Sequence, residues 1–331
     1  MSFATHGRPA RRLFAAALAA AIAWLSALPP ARAQEGVTEA TALAVAAQEL
    51  AAGIAPAVAR GEPLETVTAS ALRAIETAEQ ALALDPALVE AHLAIAQVHR
   101  QFWRWSAARR AYEAAYAVAP NDPAVLFNYG WFNSFSGRHP QAIAMAERAV
   151  RLAPTAATAQ RDLGIAHAYA GNPEPAAAAL GRCTALDPDA LVCHIWLSFM
   201  LGRLGRIEEA AAELAAAERL AAQAMSPAAA SSIAHGYSRI GRGDDAARLF
   251  ARLERMAGER AVGAGSWPLA YLAVGDAQQA FQWLERAVAK IERREPDEGF
   301  FNLMIIKANV LANPVLDEAR FVALRERIGA F

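Results

Sequence analysis

The most reactive side chains in this 331-residue chain are two thiols, Cys183 and Cys193, which flank Asp187-Pro188-Asp189. In an oxidising compartment such a pair can close a disulfide. In a reducing one it stays as two buried thiols, and the spacing is compatible with either. Among the seven histidines, His92 and His99 stand one helical heptad apart. No third ligand joins them at metal-binding spacing, so no metal site is predicted. The paired carboxylates Glu208-Glu209 and Asp244-Asp245 suit the first turn of a helix, where they complement its dipole, and need no acid–base role. A Gly-x-Ser-x-Gly elbow is absent, and Gly263-Ala264-Gly265-Ser266 reads as a loop before a helix rather than a nucleophile site. No glycine-rich phosphate loop follows a strand pattern. Catalytic residues and cofactors are therefore both predicted to be none.

The elements that must position these residues are strongly periodic. Ala74, Ala108, Ala142, Ala176, Ala210, Ala246 and Ala280 are separated by steps of 34, with a single step of 36. Pro86, Pro120, Pro154 and Pro188 follow four of these alanines at a constant offset. Gly137, Gly171, Gly205, Gly241 and Gly275 precede five of them. Between the markers run two apolar stripes of helical spacing per unit, and strand-type alternation is essentially missing. A fixed period of this size specifies stacked units that bury their apolar faces only against one another.

The unit resembles the tetratricopeptide repeat. Counting position 1 at Pro123 puts Leu126, Tyr129-Gly130, Gly137, Ala142, Ala149 and Pro154 where that helix–turn–helix family has its signature residues, and the unit from Ala157 repeats the pattern with Leu163-Gly164, Gly171, Ala176 and Pro188. The resemblance implies an all-α, right-handed superhelical solenoid of about seven repeats over 55–292. A capping helix is predicted over 34–54, and capping helices over 293–331. The register also has departures. Gly61 and Glu62 stand where the first unit needs an apolar–small pair, and Trp103 replaces a turn glycine. Two residues are inserted near Met225-Ser226-Pro227. Pro268 falls inside a first helix, which it is predicted to kink.

In that family the first helices line a concave groove that holds a peptide or helix. Carried over residue by residue, the resemblance places Gln97, Arg100, Phe127, Asn128, Trp131, Arg161, Ile165, Trp196, Phe199, Arg203, His235 and Arg239 in the groove, with Trp131 and Trp196 as its anchors. Aromatic residues and arginines are the usual hot-spot types. The family's carboxylate clamp is matched only at Asn128. His92, His99, His167 and His194 fall on packing positions. Cys183 and Cys193 lie on two antiparallel helices that leave one turn, which brings them near each other. Phe102-Trp103 is placed to contact the N-terminal cap, or offers an edge for a partner or for pairing of two copies. Phe300, Phe301, Met304, Leu316, Phe321 and Leu324 are predicted to cover the seventh unit.

The N-terminus is a separate object. Arg8, Arg11 and Arg12 precede an apolar run from Leu13 to Leu28, then Ala31-Arg32-Ala33. These are the parts of a secretory signal peptide over 1–33, cut after Ala33, and the run is short for a membrane span. A periplasmic or secreted protein follows, with no integral span in the mature chain. Beyond residue 33 there are 28 basic and 33 acidic residues. That balance argues against nucleic acid as a partner. The sequence thus reads as a non-catalytic exported scaffold for a protein or peptide partner, with a homo-oligomeric envelope protein, or an accessory subunit of a larger complex, as the alternative.

Overall fold

The computed structural model describes residues 39–259, 262–297, 299–310 and 312–329. Contacts divide the chain into Met1–Glu39 and Ala40–Phe331, and the architecture below is that of the second. The signal-peptide segment and its cut after Ala33 lie outside the described residues.

Seven helical hairpins follow one another, and the described residues contain no strand. They are α1 (Glu39–Ala59) with α2 (Leu64–Leu84), α3 (Val89–Gln101) with α4 (Trp105–Val118), and α5 (Pro123–Phe135) with α6 (His139–Leu152). Next come α7 (Ala157–Tyr169) with α8 (Pro173–Leu186), α9 (Leu191–Arg203) with α10 (Ile207–Ala221), and α11 (Pro227–Arg239) with α12 (Gly243–Glu259). The seventh pairs α13 (Trp267–Ala273), entered through a 3-10 turn at Ala264–Ser266, with α14 (Ala277–Glu292). Helices α15 (Phe300–Ala308) and α16 (Ala319–Gly329) end the chain.

The alanine ladder is where the two helices of each hairpin touch. All seven of its alanines are buried, none more than 1% exposed. Any larger side chain there would push the helices apart. Each hairpin turn closes in the same way, with a left-handed residue after the first helix. In the third unit Gly137 has φ +80° and Arg138 N–H donates to Asn133 O at 2.9 Å, a Schellman closure that satisfies carbonyls left open at the helix end. The second unit makes the same closure, Arg104 N–H to His99 O at 2.8 Å, but with Trp103 at φ +57°.

Several expectations change here. Gly61, at φ +72°, is itself the turn glycine of the first hairpin, because α2 starts early and runs for 21 residues. The expected boundary between 54 and 55 lies inside α1, which continues through Pro56. Helix α1 is long and apolar enough to cross a membrane, yet its Ala44, Ala47, Ala51 and Ile54 pack with Val67, Ala71 and Ala74 of α2. Pro268 does not kink a helix. It sits in the first turn of the shortened α13, where its missing N–H would have no partner anyway. Phe102 and Trp103 are buried, Trp103 completely, so the edge expected for pairing is not on the surface; Phe102 instead shares a core with Ala47, Ala51 and Ile54 of α1, the cap contact that was the alternative.

The row of hairpins also curls back on itself. Val58, Leu64 and Val67 of the first hairpin line one cavity of about 330 Å³ together with Trp283 and Lys290 of the seventh.

Candidate partner-binding groove

Helix α15 occupies the face of the first helices. It is hydrophobic nearly all round, and Leu303, Met304 and Ile306 are fully buried. With nine residues it is roughly 14 Å long at 1.5 Å per residue. Even so it meets the second unit, where Arg100 lies 5.2 Å over the Phe300 ring, and the sixth, where Ser232 Oγ donates to Asn302 Oδ1 at 2.9 Å. The first helices therefore converge around it. The expectation that the C-terminal helices cover the seventh unit holds for α16, whose Phe321 packs on Phe281 at 5.5 Å, and in part for α15, whose Leu303 packs on Gly265 of that unit's entry turn while Phe300 and Phe301 lie on units two and three.

Two fasteners hold the segment before α15. Asp297 accepts from the N–H groups of Ala264, Gly265 and Gly299 at 3.1, 3.0 and 2.8 Å, and from Lys290 Nζ at 2.9 Å. The loop before α13 is thus a carboxylate cradle, and Ser266 within it is buried with its carbonyl accepting from Ser231 Oγ at 2.6 Å. The backbones of Gly265 and Gly299 approach so closely that a Cβ on Gly299 would stand 2.3 Å from Gly265 C. The second fastener is an exchange between two left-handed caps. Trp103 Nε1 donates to Glu295 O at 3.0 Å, and the guanidinium of Arg294, at φ +60°, donates to Trp103 O.

The structure divides the groove residues inferred from sequence into two groups. Arg203 donates to Val310 O at 3.0 Å and Arg239 to Ala312 O at 3.4 Å. His235 Nε2 meets Asn313 Nδ2 at 3.4 Å. Burial, with Arg239 as a second influence, pushes the His235 imidazole down to about 3, so it is neutral. Ile165, Trp196 and Phe199 are buried, and Trp196 packs at a tilt against Tyr169 with ring centroids 5.4 Å apart. None of these six is a free groove residue: three hold the chain's own C-terminal segment and three are core. Trp196 is thereby corrected from an anchor to a packing residue.

The other six lie on α3, α5 and α7. Gln97 Nε2 donates to Asn128 Oδ1 at 3.3 Å, tying α3 to α5. Phe127 and Trp131 meet edge-on at 5.8 Å, one turn apart on α5. The Arg161 guanidinium stands 5.2 Å over Phe127 and 5.9 Å over Trp131. Asp162 Oδ1 accepts from Trp131 Nε1 at 3.0 Å and from Arg161 Nε at 2.9 Å. Burial pushes the Asp162 carboxyl up, and Arg161 and the indole N–H oppose that. Beyond these stands a residue that sequence reasoning assigned to the cap. Phe301 is 49% exposed and packs edge-on against Trp131 at 5.5 Å. The signal for it was the all-round apolar run Phe300–Ile306, too hydrophobic for a one-sided cover.

The four repeat histidines pack or bind locally. His92 and His194 each reach the carbonyl of the proline six residues earlier, at 3.0 and 2.9 Å. His99 and His167 are lowered by burial. Among the described residues no group of three or more His, Cys, Asp or Glu is placed to hold a metal. The sulfurs of Cys183 and Cys193 are bonded, with the Cα atoms 6.2 Å apart.

No family model and no curated protein matches the sequence. Solved structures do. A tetratricopeptide repeat protein from Parabacteroides merdae is 14% identical, with a TM-score of 0.51 over 81% of this chain and all of that one. TTC0263, a thermophilic protein from Thermus thermophilus, is 20% identical over 58% of this chain and all of its own, at a TM-score of 0.49. PilF of Pseudomonas aeruginosa is 20% identical over 66% of this chain and 94% of its own, at 0.47. At these identities what is shared is the fold. The chain is an all-α tetratricopeptide repeat solenoid.

Proposed function

We propose that this protein is a non-catalytic, exported interaction scaffold that holds a segment of another protein on the first helices of units two to four. The observation that carries the reading is the half-buried aromatic–arginine surface of Phe127, Trp131 and Arg161, continued by the exposed Phe301 ring. Interface hot spots have this composition. Large aromatic rings left at a surface also mark contact sites. Export is supported by the basic–apolar–small N-terminal pattern and by the Cys183–Cys193 bond, which persists in oxidising compartments.

The test is site-specific photo-cross-linking from position 127 in intact cells. A partner should be trapped there, and Trp131→Ala should cut the yield about tenfold, the scale of losing one hot-spot residue, while helicity is kept. The same yield from Trp131→Ala would place the site elsewhere.

A further inference from the structure

We infer that Asp162 is a positioning residue of this groove: it holds Trp131 and Arg161 in the arrangement that a partner meets. The inference rests on the groove reading above and concerns how that surface is prepared. Geometry is the first observation. A single oxygen, Asp162 Oδ1, accepts from Trp131 Nε1 at 3.0 Å and from Arg161 Nε and Nη2 at 2.9 Å each. Bonds to a charged acceptor are stronger than neutral ones. They fix an indole of α5 and a guanidinium of α7 on one point, and the guanidinium stands over the Phe127 and Trp131 rings at 5.2 and 5.9 Å. With its N–H spent on Asp162, the indole offers a partner its ring rather than a donor. The tie has a counterpart one unit earlier. Trp131 and Asp162 are 31 residues apart, and so are Gln97 and Asn128, whose side chains link α3 to α5. One step further, Ile165 and Trp196 are apolar and buried. The polar ties thus cross α3, α5 and α7, where the ring surface lies.

The second observation is what Asp162 costs the fold. Its side chain is 12% exposed. Burial raises its carboxyl above the usual range, and Arg161 and the indole N–H offset only part of that. A carboxyl raised by folding is less favourable ionised in the folded chain than in the unfolded one. Ionised Asp162 therefore works against the fold, and a well-packed apolar residue in its place would be no less stable. What the residue supplies is orientation. Trp131 and Arg161 would otherwise lose rotamer freedom when a partner covers them, and ordering one such side chain at an interface weakens binding by a factor of about two to ten. Asp162 orders both before the partner arrives.

The experiment extends the cross-linking from position 127 in intact cells to variants of Asp162. Asp162→Leu fills the same space without an acceptor. It should cut the yield about fivefold or more, with the melting midpoint of the purified chain unchanged or raised. Asp162→Ala is the second acceptor-free variant, with the same loss of yield expected, and Asp162→Asn, which keeps an acceptor oxygen, should lose less. In the Trp131→Ala background Asp162→Leu should remove much less than it does alone, because it acts through Trp131. Hydrogen exchange of the Trp131 indole N–H, followed by NMR on the chain without partner, should be about tenfold faster in Asp162→Leu than in wild type. An unchanged yield in the acceptor-free variants, losses that multiply with Trp131→Ala, a loss that only follows a lowered midpoint, an Asn variant as weak as the Leu one, or equal indole exchange overturns the positioning role. Trp131→Ala keeps the two readings apart. If it leaves the yield unaltered, the groove reading falls and this inference with it. If it lowers the yield while Asp162→Leu does not, only the positioning role falls.

Discussion

His235 shows how a single position can be misread from sequence and still matter. Its register puts it on the groove face, but α11 carries it beneath Asn313, where it is 1% exposed and held neutral. Its folded pKa of about 3 lies below the ordinary 6.5, so the unfolded chain takes up a proton first as pH falls. Stability from this group is complete above pH 6.5 and is lost progressively toward pH 3. Two units below 6.5 the loss is about 3 kcal/mol. Urea unfolding of wild type and His235→Gln at pH 6.5 and 4.5 should show the acid-induced loss shrink by about that amount in the variant. An equal pH dependence in the two would mean that His235 is hydrated. The cysteines were narrowed by sequence to a pair beside one turn, with both redox states open. A bonded pair closes a loop of about ten residues and contributes roughly 2–3 kcal/mol in the loop-entropy model. Thiol titration of the denatured, unreduced protein should find none, and replacing both by serine should lower stability by that amount.

At the scale of the element, the hairpin turn sets two testable limits. The first is its left-handed residue. Trp103 adopts φ +57°, a conformation that costs a side-chain-bearing residue about 1–2 kcal/mol, and its buried indole offsets that cost. Trp103→Ala loses the packing and keeps the strain, for about 3–5 kcal/mol. Trp103→Gly loses the same packing and relieves the strain, so it should be about 1 kcal/mol the more stable of the two, opposite to the usual ranking inside helices. Thermal melts of the pair decide this. The second limit is the ladder. Ala142→Leu overpacks the contact of α5 with α6 and should cost about 1–3 kcal/mol; an unchanged melting midpoint would break the register. Both elements were legible in the repeat, because small residues and turn glycines recur where backbones come close. The first hairpin was less legible: α2 extends beyond the period, so its turn glycine stood out of register.

On the scale of the whole molecule, the C-terminal segment joins units that are far apart in sequence. Asp297 is its main fixing point, with four donors on one buried carboxylate. Asp297→Ala would leave the Lys290 ammonium and three N–H groups without that acceptor and should cost about 3–5 kcal/mol, read as a lowered melting midpoint with increased dye binding at the uncovered first helices. Asp297→Asn keeps part of the acceptor set and should fall between. The sequence by itself determined the repeat, the hairpins and the alanine contacts, because each depends on residues within one period of each other and is repeated seven times. It also put Phe127, Trp131 and Arg161 among the twelve residues expected on the groove face, without separating them from the six that proved committed elsewhere. Only the tertiary structure decided what lies on the first-helix face. Small angular increments between units add up along the stack until units two and six meet across α15, and no local pattern encodes that sum. The closure gives Arg203 and Arg239 to the chain's own carbonyls and brings Phe301 beside Trp131.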